Sequence, residues 1–326
     1  MLASLVHNAP EMKLPSATSA ITIELTAVLV ALTADEPQVL TLEDGALLPS
    51  GPFESDHPTL QTGLRAWVEQ QTHHPLGYVE QLYTFADRNR AAEGGHGLDQ
   101  RRVVSISYLG LTRERLSRGP RDPEWRNWYR YFPWEDWRAG TAPLVAREIL
   151  PRLRKWSDAS GDSALKRDRR QRIEINFGDG KKQWNEDLVL QRYELLYEAG
   201  LVPEAATGRH QVDAPLFGMM MRHDHRRILA TGIARLRTKI KYRPVVFELM
   251  PEAFTLLQLQ RAVEALAGRP LHKQNFRRLI DQQGLVEETG AISAHTAGRP
   301  AKLYRFSRQV VLERAFGGTK LPLSRS

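Results

Sequence analysis

Residues 255–283 decide the fold of the C-terminal third, and they read TLLQLQRAVEALAGRPLHKQNFRRLIDQQ. Thr255 is a favourable helix N-cap, and the apolar residues that follow it recur at helical spacing. Gly268-Arg269-Pro270 predicts a tight turn between this helix and a second one. Two short strands are predicted at residues 285–288 and 302–306, around a glycine-rich turn. Helix, turn, helix and a two-stranded hairpin are the order of a winged helix-turn-helix.

The second of these predicted helices has a polar face suited to nucleic acid. In a winged helix-turn-helix its first turns lie near base edges in the major groove, where Arg and Lys suit guanine and phosphate, and Asn and Gln suit adenine. Basic helix pairs also occur without DNA binding, so the order of turn, helix and basic wing is what favours this interpretation. The candidate DNA-binding residues are Thr255, His272, Lys273, Gln274, Asn275, Arg277, Arg278, Arg299, Lys302, Tyr304 and Arg305.

The net charge is divided unevenly along the chain. The 326 residues include 46 Lys and Arg and 38 Asp and Glu, a net charge of +8. Residues 216–326 hold 20 basic and 8 acidic residues, a net of +12, whereas residues 1–215 hold 26 and 30, a net of −4. A mildly acidic body with a basic end indicates a separate polyanion-binding module, although basic helices can also be merely solvated faces.

The composition excludes several classes of protein. There is no cysteine, which excludes a disulfide framework, a Cys nucleophile, an iron–sulfur cluster and a thiolate zinc site. Hydrophobic residues make up 41% of the chain, which excludes wholesale disorder. The N-terminus lacks a signal-peptide pattern, and the apolar run at 27–32 is too short to span a bilayer. We therefore expect a cytoplasmic protein with no membrane association.

The N-terminal half alternates predicted strands with a helix. Strands are predicted at residues 21–32, 38–42, 77–85 and 102–111. A helix is predicted to begin near His57 or Pro58, since proline fits the first helical turn. This pattern predicts an α+β or α/β domain.

The middle of the chain is rich in tryptophan. Six of the seven tryptophans lie between Trp125 and Trp184. Such a cluster is more often a packing cluster than a ligand cage. Residues 157–170 are polar and basic and predict a surface loop, and residues 185–199 predict a helix.

The segment that begins at Gly51 resembles a degenerate Nudix box, G-x5-E-x7-R-E-U-x-E-E-x-G-U, in which U is a large apolar residue. The matching positions are Gly51, Arg65, Trp67 and Glu69. The departing positions are His57, Ala66 and Gln70, where acidic residues are expected, and Thr72, where glycine is expected. In the family these carboxylates hold magnesium against a pyrophosphate, and one remaining Glu cannot assemble such a site. The resemblance therefore implies a Nudix-like domain without hydrolysis.

Further segments resemble Nudix proteins and regulators related to them. QLYTFAD at 81–87 and RVVSISYL at 102–109 are similar to the strand pair of ADP-ribose-type Nudix proteins. FELMPEAFTL at 247–256, NFRR at 275–278 and GRPAKLYRF at 298–306 resemble the Nudix-related transcriptional regulators of NAD metabolism, of NrtR/NadQ type.

The long middle region, with YFPWEDW at 131–137, resembles the NadQ-type branch, and the whole resemblance covers roughly residues 21–310. It implies a homodimeric repressor of NAD biosynthesis genes, whose winged helix binds a palindromic operator in double-stranded DNA. The implied effector is NAD, ADP-ribose, ATP or another NAD-pathway nucleotide, with no cofactor and no metal. The alternatives are an active Nudix pyrophosphatase acting on ADP-ribose or a related dinucleotide, and a plain nucleotide-binding module.

These expectations divide the chain as follows. We predict a mobile N-terminal arm at 1–20 and a Nudix-like mixed-sheet domain at 21–222, with a tryptophan-rich, helical insertion from about 113 to 215. A linker helix and the winged helix-turn-helix occupy 223–310, and a tail occupies 311–326.

The candidate effector-binding residues are Arg65, Glu69, Asp87, Arg88, Arg102 and Tyr108. Arg65 either contacts an effector phosphate or pairs with a helix carboxylate. Asp87 and Arg88 follow a strand, where ligand contacts and turns are both common. Tyr108 either stacks on a base or lies in the core. Glu69, without other carboxylates of the box, is expected to be solvated or paired and not to bind a metal.

Two histidine pairs do not predict a metal site. His223 and His225 are two positions apart and do not share a helix face, and Asp224 between them is a good N-cap. His73 and His74 are expected to lie in a loop at a helix end.

Overall fold

The computed structural model describes residues 21–73, 76–86, 102–113, 123–140, 142–178, 183–205, 216–242, 245–293 and 300–307. The predicted arm at 1–20 and the predicted tail at 311–326 lie outside these described residues. Within the described ranges, no helix is long and apolar enough to cross a membrane.

A mixed six-stranded sheet forms the centre of the N-terminal half. Its strands are β1 (Ile21–Thr33), β2 (Glu36–Thr41), β3 (Ser50–Pro52), β4 (Tyr78–Phe85), β5 (Arg102–Leu111) and β6 (Glu124–Asn127). The strand order is β4-β5-β1-β2-β6, with β3 paired to β1. β1 is parallel to β5, and the other pairs are antiparallel. β6 was not predicted: it lies inside the region expected to be an insertion, and four residues are too few to show an alternating pattern.

Both faces of β1 are covered, which explains its nearly continuous apolar sequence. Leu25 and Leu29 pack beneath helix α1 (Leu60–Thr72) on one face. Val28 lies on the opposite face under helix α5 (His225–Ile240), which approaches so closely that a Cβ on Gly232 would lie 2.9 Å from a Val28 methyl carbon. The sheet is therefore a layer between two helices.

Helix α1 begins at Leu60, two or three residues later than the sequence analysis predicted. The Thr59 hydroxyl accepts a hydrogen bond from the Thr62 amide, and the Thr62 side chain accepts one from the Thr59 amide. This reciprocal cap satisfies two amides that the helix itself leaves unpaired, and it fixes the first helical residue at Leu60.

The predicted surface loop at 157–170 is wrong, because these residues are mostly helical. Helix α2 (Leu150–Asp158) is followed by helix α3 (Ser163–Phe177), and the side chain of Asp162 accepts from the Ala164 amide at 2.8 Å. Lys, Arg, Gln and Glu are good helix formers even where few apolar residues mark a buried face. Helix α4 (Val189–Glu198) lies within the predicted range.

The tryptophan-rich segment is a packing cluster, which was the favoured prediction over a ligand cage. Trp128 and Trp134 are fully buried, and their rings lie in the main hydrophobic core with Phe132 and Tyr193. The Phe132 ring meets the rings of Trp134 and Tyr193 edge-on. The region expected to be an insertion is thus continuous with the core of the sheet domain.

The C-terminal elements confirm the predicted winged helix-turn-helix. Helix α6 (Leu256–Ala267) begins at a capping box made by Thr255 and Gln258. Helix α7 (Lys273–Gln282) follows, and strands β7 (Val286–Ser293) and β8 (Ala301–Phe306) form the antiparallel wing.

A fully buried carboxylate joins three parts of this fold. Glu135, in the tryptophan-rich segment, lies 2.5 Å from the guanidinium of Arg192 on α4 and 2.5 Å from that of Arg237 on α5. Arg237 also donates to the carbonyl of Leu266 near the end of α6. Gly268, which ends α6 with a φ of +73°, packs so tightly here that a Cβ would overlap the Glu135 carbonyl oxygen. The middle region, α5 and α6 therefore meet at one charged cluster.

The cluster keeps its charges despite complete burial. Burial alone would raise the pKa of Glu135, but the attraction and hydrogen bonds of Arg192 and Arg237 hold that pKa below its ordinary value. The Trp184 ring lies 4.8 Å from the Arg192 guanidinium carbon and 5.7 Å from that of Arg237, and it supplies a cation–π contact to both. The ionised Glu135 carboxylate is thus the shared counter-ion of two buried arginines.

We expect Glu135→Gln to lower the free energy of unfolding by about 3–5 kcal/mol, the usual cost of removing one partner of a buried ion pair. Because folding lowers the pKa of Glu135, its stabilisation is present above the ordinary Glu value of 4.5 and is lost as the pH falls through the folded pKa. Urea denaturation at pH 7 and at acidic pH measures both effects, and the variant should lose less stability with acid than the wild type. Glu148→Gln, which removes a half-exposed partner of Arg152, is the control. Equal losses in the two variants would contradict a central role for Glu135.

Candidate DNA-binding surface and effector pocket

Helix α7 presents a polar, basic face to solvent. Phe276 and Ile280 are buried and hold the helix against the domain, while Asn275 is half-buried. The exposed candidates on and just before α7 are His272, Lys273, Gln274, Arg277 and Arg278. In the part of the chain that the structure describes, Lys273, Arg277 and Arg278 make no ion pair. They are therefore available to phosphates or base edges.

Thr255 lies at the N-cap of helix α6. Its side chain is buried and accepts a hydrogen bond from the Gln258 amide at 3.2 Å, while Gln258 accepts from the Thr255 amide at 2.8 Å. Thr255 thus fixes the start of α6.

The basic residues of the wing are paired with carboxylates on the neighbouring strand. The Lys302 ammonium on β8 lies 2.8 and 2.9 Å from the two carboxylate oxygens of Glu288 on β7. Arg305 lies 3.3 Å from Glu287, and the Tyr304 hydroxyl lies 3.4 Å from Glu288. These pairs are exposed, so a stronger anion can compete for the cations. Arg299, at the predicted wing tip, lies outside the described residues.

Three candidate effector residues lie on or beneath α1: Tyr108 and Glu69 match their structural alternatives, whereas Arg65 contacts backbone carbonyls and not the expected helix carboxylate. Arg65 donates to the carbonyls of Leu76 and Gly77, and so holds the segment that follows α1. Tyr108 is buried with the core beneath α1, and this burial raises its pKa. Glu69 is exposed on the helix surface.

The structure does not describe the side chains of the remaining candidates. Arg102 is the first residue of β5, but its side chain is outside the described part, as are Asp87 and Arg88. Their contacts with an effector stay predictions.

One group of possible metal ligands lies before α1. Ligand atoms of Glu54, Asp56 and His57 lie within 4.8 Å of one another, and His57 stands where the box expects a Glu. The His57 Nδ1 already accepts from the Glu54 amide at 3.1 Å, which leaves Nε2 as its free nitrogen. Both carboxylates are exposed, and Glu69 does not belong to this group.

A pocket that the sequence analysis did not anticipate lies where α5 begins. It is shallow and opens to solvent between α5 and the strands β1, β4 and β5. Its lining includes His225, which is buried because it lies one helical turn before Ile228 on the apolar face of α5. That spacing is the sequence signal that could have placed His225 in the core.

Comparison with known proteins identifies the C-terminal domain. Residues 246–306 match the family described as the NrtR DNA-binding winged helix domain. A curated relative, the ADPR responsive transcriptional repressor NtrR of Acinetobacter baylyi, is 43% identical over 86 residues. This match covers 26% of the chain and 34% of the relative, so the chain spans about a third of the relative's length.

Two solved structures share the fold. One is Shewanella oneidensis NrtR complexed with a 27mer DNA, at a TM-score of 0.50 and 19% identity, and the other is Shewanella oneidensis NrtR, at 0.51 and 18%. Each match covers 91% of this chain and 97% of the other. The chain thus has the fold of these proteins, a mixed-sheet domain followed by a winged helix, and its C-terminal domain is similar in sequence to the NrtR DNA-binding domain.

Proposed function

We propose that this chain is a DNA-binding transcriptional repressor of NAD biosynthesis genes. Its Nudix-like domain binds a nucleotide of that pathway, and binding changes the affinity for the operator. The observation that carries the proposal is the coincidence of the family match at 246–306 with the exposed cations of α7. The net charge of +12 over residues 216–326 supports the same assignment.

ADP-ribose is the first effector to consider. The Acinetobacter baylyi relative is described as ADPR responsive, and NAD, ATP and other NAD-pathway nucleotides remain in the set that the resemblance implies. An effector acts only if it binds the DNA-competent and DNA-incompetent conformations unequally.

We further propose that the repressor is a homodimer. A two-fold symmetric dimer matches a palindromic operator whose half-sites lie about one helical turn apart.

Pyrophosphatase activity is the alternative, and the acidic group of Glu54, Asp56 and His57 is the observation that favours it. Against it stands the loss of three of the four acidic positions of the box, at His57, Ala66 and Gln70. Hard divalent cations at a pyrophosphate need several oxygen ligands on one surface. We therefore propose that the domain binds its nucleotide without hydrolysing it.

Arg277→Ala and Arg278→Ala test the DNA-binding assignment. A variant that loses a base contact should bind operator more weakly by about 1–3 kcal/mol, whereas loss of a phosphate contact should weaken binding to all sequences and reduce the salt slope by about one. Fluorescence anisotropy measures both, with DNA selected by the full chain from a random pool. Arg167→Ala, at an exposed arginine of α3, is the matched control. Wild-type affinity in both α7 variants would refute the assignment.

Glu288→Gln should strengthen DNA binding. The change releases Lys302 from its carboxylate partner, so one more cation can neutralise a phosphate. Affinity for selected and for random DNA should both rise, and the dependence on salt should steepen by about one. Glu252→Gln removes the same charge from an exposed position of this domain and should have the smaller effect. An equal gain in the two variants would show that net charge alone, and not the release of Lys302, is responsible.

Ligand binding and turnover separate the sensor from the pyrophosphatase. Thermal unfolding with ADP-ribose, NAD, nicotinamide mononucleotide and ATP should reveal stabilisation by at least one, about 2.7 kcal/mol at 100 times its Kd. No AMP should appear from ADP-ribose with magnesium or manganese. AMP release that Glu69→Gln abolishes would establish the enzyme, and stabilisation by none of the four would refute the sensor.

A further inference from the structure

The C-terminal end of helix α6 is held by donors from outside the winged helix-turn-helix. The last carbonyls of a helix have no acceptor role within it, so they need partners from elsewhere. In α6 the Ala265 carbonyl accepts a hydrogen bond from the Tyr129 hydroxyl at 2.6 Å. The next carbonyl, that of Leu266, accepts from Nε of Arg237 at 3.0 Å. The tryptophan-rich segment and α5 together therefore fix this helix end.

The turn that connects α6 to α7 is held in the same way. The Gly268 carbonyl accepts from the Trp137 amide at 2.7 Å, and the Arg269 guanidinium lies 3.6 Å from the Glu186 carboxylate. Gly268 has a φ of +73°, and a Cβ there would lie 3.0 Å from the Tyr129 hydroxyl. Because α7 follows directly after this turn, contacts with the rest of the molecule set the path of the chain into α7.

Tyr129 is itself fixed in place by the sheet. The Arg138 guanidinium carbon lies 5.2 Å from the centre of the Tyr129 ring. Arg138 donates to both carboxylate oxygens of Glu36 on β2, at 2.9 Å each. The Tyr129 side chain is buried, and burial raises the pKa of its phenol, so the hydroxyl stays protonated and remains a donor. The position of this donor therefore depends on the sheet domain.

Base contacts and phosphate contacts depend differently on the orientation of α7. Hydrogen bonds to base edges need side chains at defined places in the groove, whereas phosphate contacts carry no sequence information and draw much of their energy from released counter-ions. Tyr129 is buried and cannot itself touch DNA. Loosening the end of α6 should therefore reduce sequence specificity more than general affinity.

We propose that Tyr129 is a positioning residue for DNA recognition. Its hydroxyl fixes the C-terminal end of α6, and through the turn at Gly268 it sets the angle at which α7 meets the base edges. The inference rests on the proposed function, and it assigns part of the sequence specificity of the winged helix-turn-helix to a residue of the tryptophan-rich segment.

Tyr129→Phe removes this one hydroxyl and keeps the ring, and Tyr131→Phe is its matched control. The Tyr131 hydroxyl is also buried, but it donates to the Gly45 carbonyl at 2.8 Å, within the sheet domain. Loss of one buried hydrogen bond should lower the urea midpoint of both variants to a similar extent. Only Tyr129→Phe should change the recognition of DNA.

The ratio of the Kd for random DNA to the Kd for DNA selected by the wild-type chain measures this specificity. We expect the ratio to fall by about fivefold in Tyr129→Phe, which corresponds to about 1 kcal/mol for one weakened base contact, and to keep its wild-type value in Tyr131→Phe. The Kd for random DNA should stay the same in both variants, which general destabilisation would not reproduce. A ratio that falls equally in both variants, or in neither, overturns the proposal.

Hydrogen exchange separates a failure of this inference from a failure of the proposed function. Amide exchange, measured by mass spectrometry without DNA, should be faster at residues 265–272 in Tyr129→Phe and unchanged there in Tyr131→Phe. Unchanged exchange at these residues in Tyr129→Phe overturns the proposal whatever the DNA result. If the wild-type chain selects no DNA from a random pool, the proposed function fails, and exchange alone decides whether Tyr129 fixes the end of α6.

Discussion

The buried ion cluster of Glu135, Arg192 and Arg237 is the constraint on which the rest of the architecture depends. A charge without a partner is very costly to bury, so each of these residues fixes the position of the others. The three come from the tryptophan-rich segment, α4 and α5, which are far apart in the sequence. Arg237 extends the cluster to α6 through the Leu266 carbonyl. The cluster therefore fastens the first helix of the winged helix-turn-helix to the middle region.

Helix α5 connects this cluster to the sheet. His225, at the start of α5, lines the pocket. Gly232, in the middle of the helix, packs against Val28 of β1, and Arg237 lies in its last turns. A movement of α5 along the sheet would thus shift Arg237 and, through its hydrogen bond to the Leu266 carbonyl, the position of α6. In the proposed function this makes α5 the element whose position an effector can bias, since packed helices shift as units rather than deforming continuously.

The sequence predicted those parts of the fold whose signals are local. Helix α6 has a cap at Thr255 and a terminating glycine at Gly268, so its two ends could be predicted. Strands β1 and β5 are long apolar runs, so their ranges could be predicted as well. Helix α3 was mistaken for a loop because its basic sequence has few apolar residues to show a period. Strand β6 was missed because it is short.

The candidate sites were less predictable because they depend on distant contacts. The exposure of Arg277 and Arg278 follows from helical spacing, but the pairing of Lys302 with Glu288 needs the register of the wing. The contacts of Arg65 with the carbonyls of Leu76 and Gly77 were not predicted, because these partners lie in the segment that follows α1. The Glu135 cluster and the His225 pocket bring together elements separated by scores of residues, and no local pattern reveals them.

Linkage between ligand and DNA tests the account most directly. The Kd of the full chain for DNA selected from a random pool should be measured with and without ADP-ribose, and the Kd for ADP-ribose with and without that DNA. The account predicts that each ligand changes the affinity for the other by the same factor, on the order of 5- to 150-fold. If the chain binds both ligands and neither affinity changes, the Nudix-like domain and the DNA-binding domain are independent, and the account is contradicted.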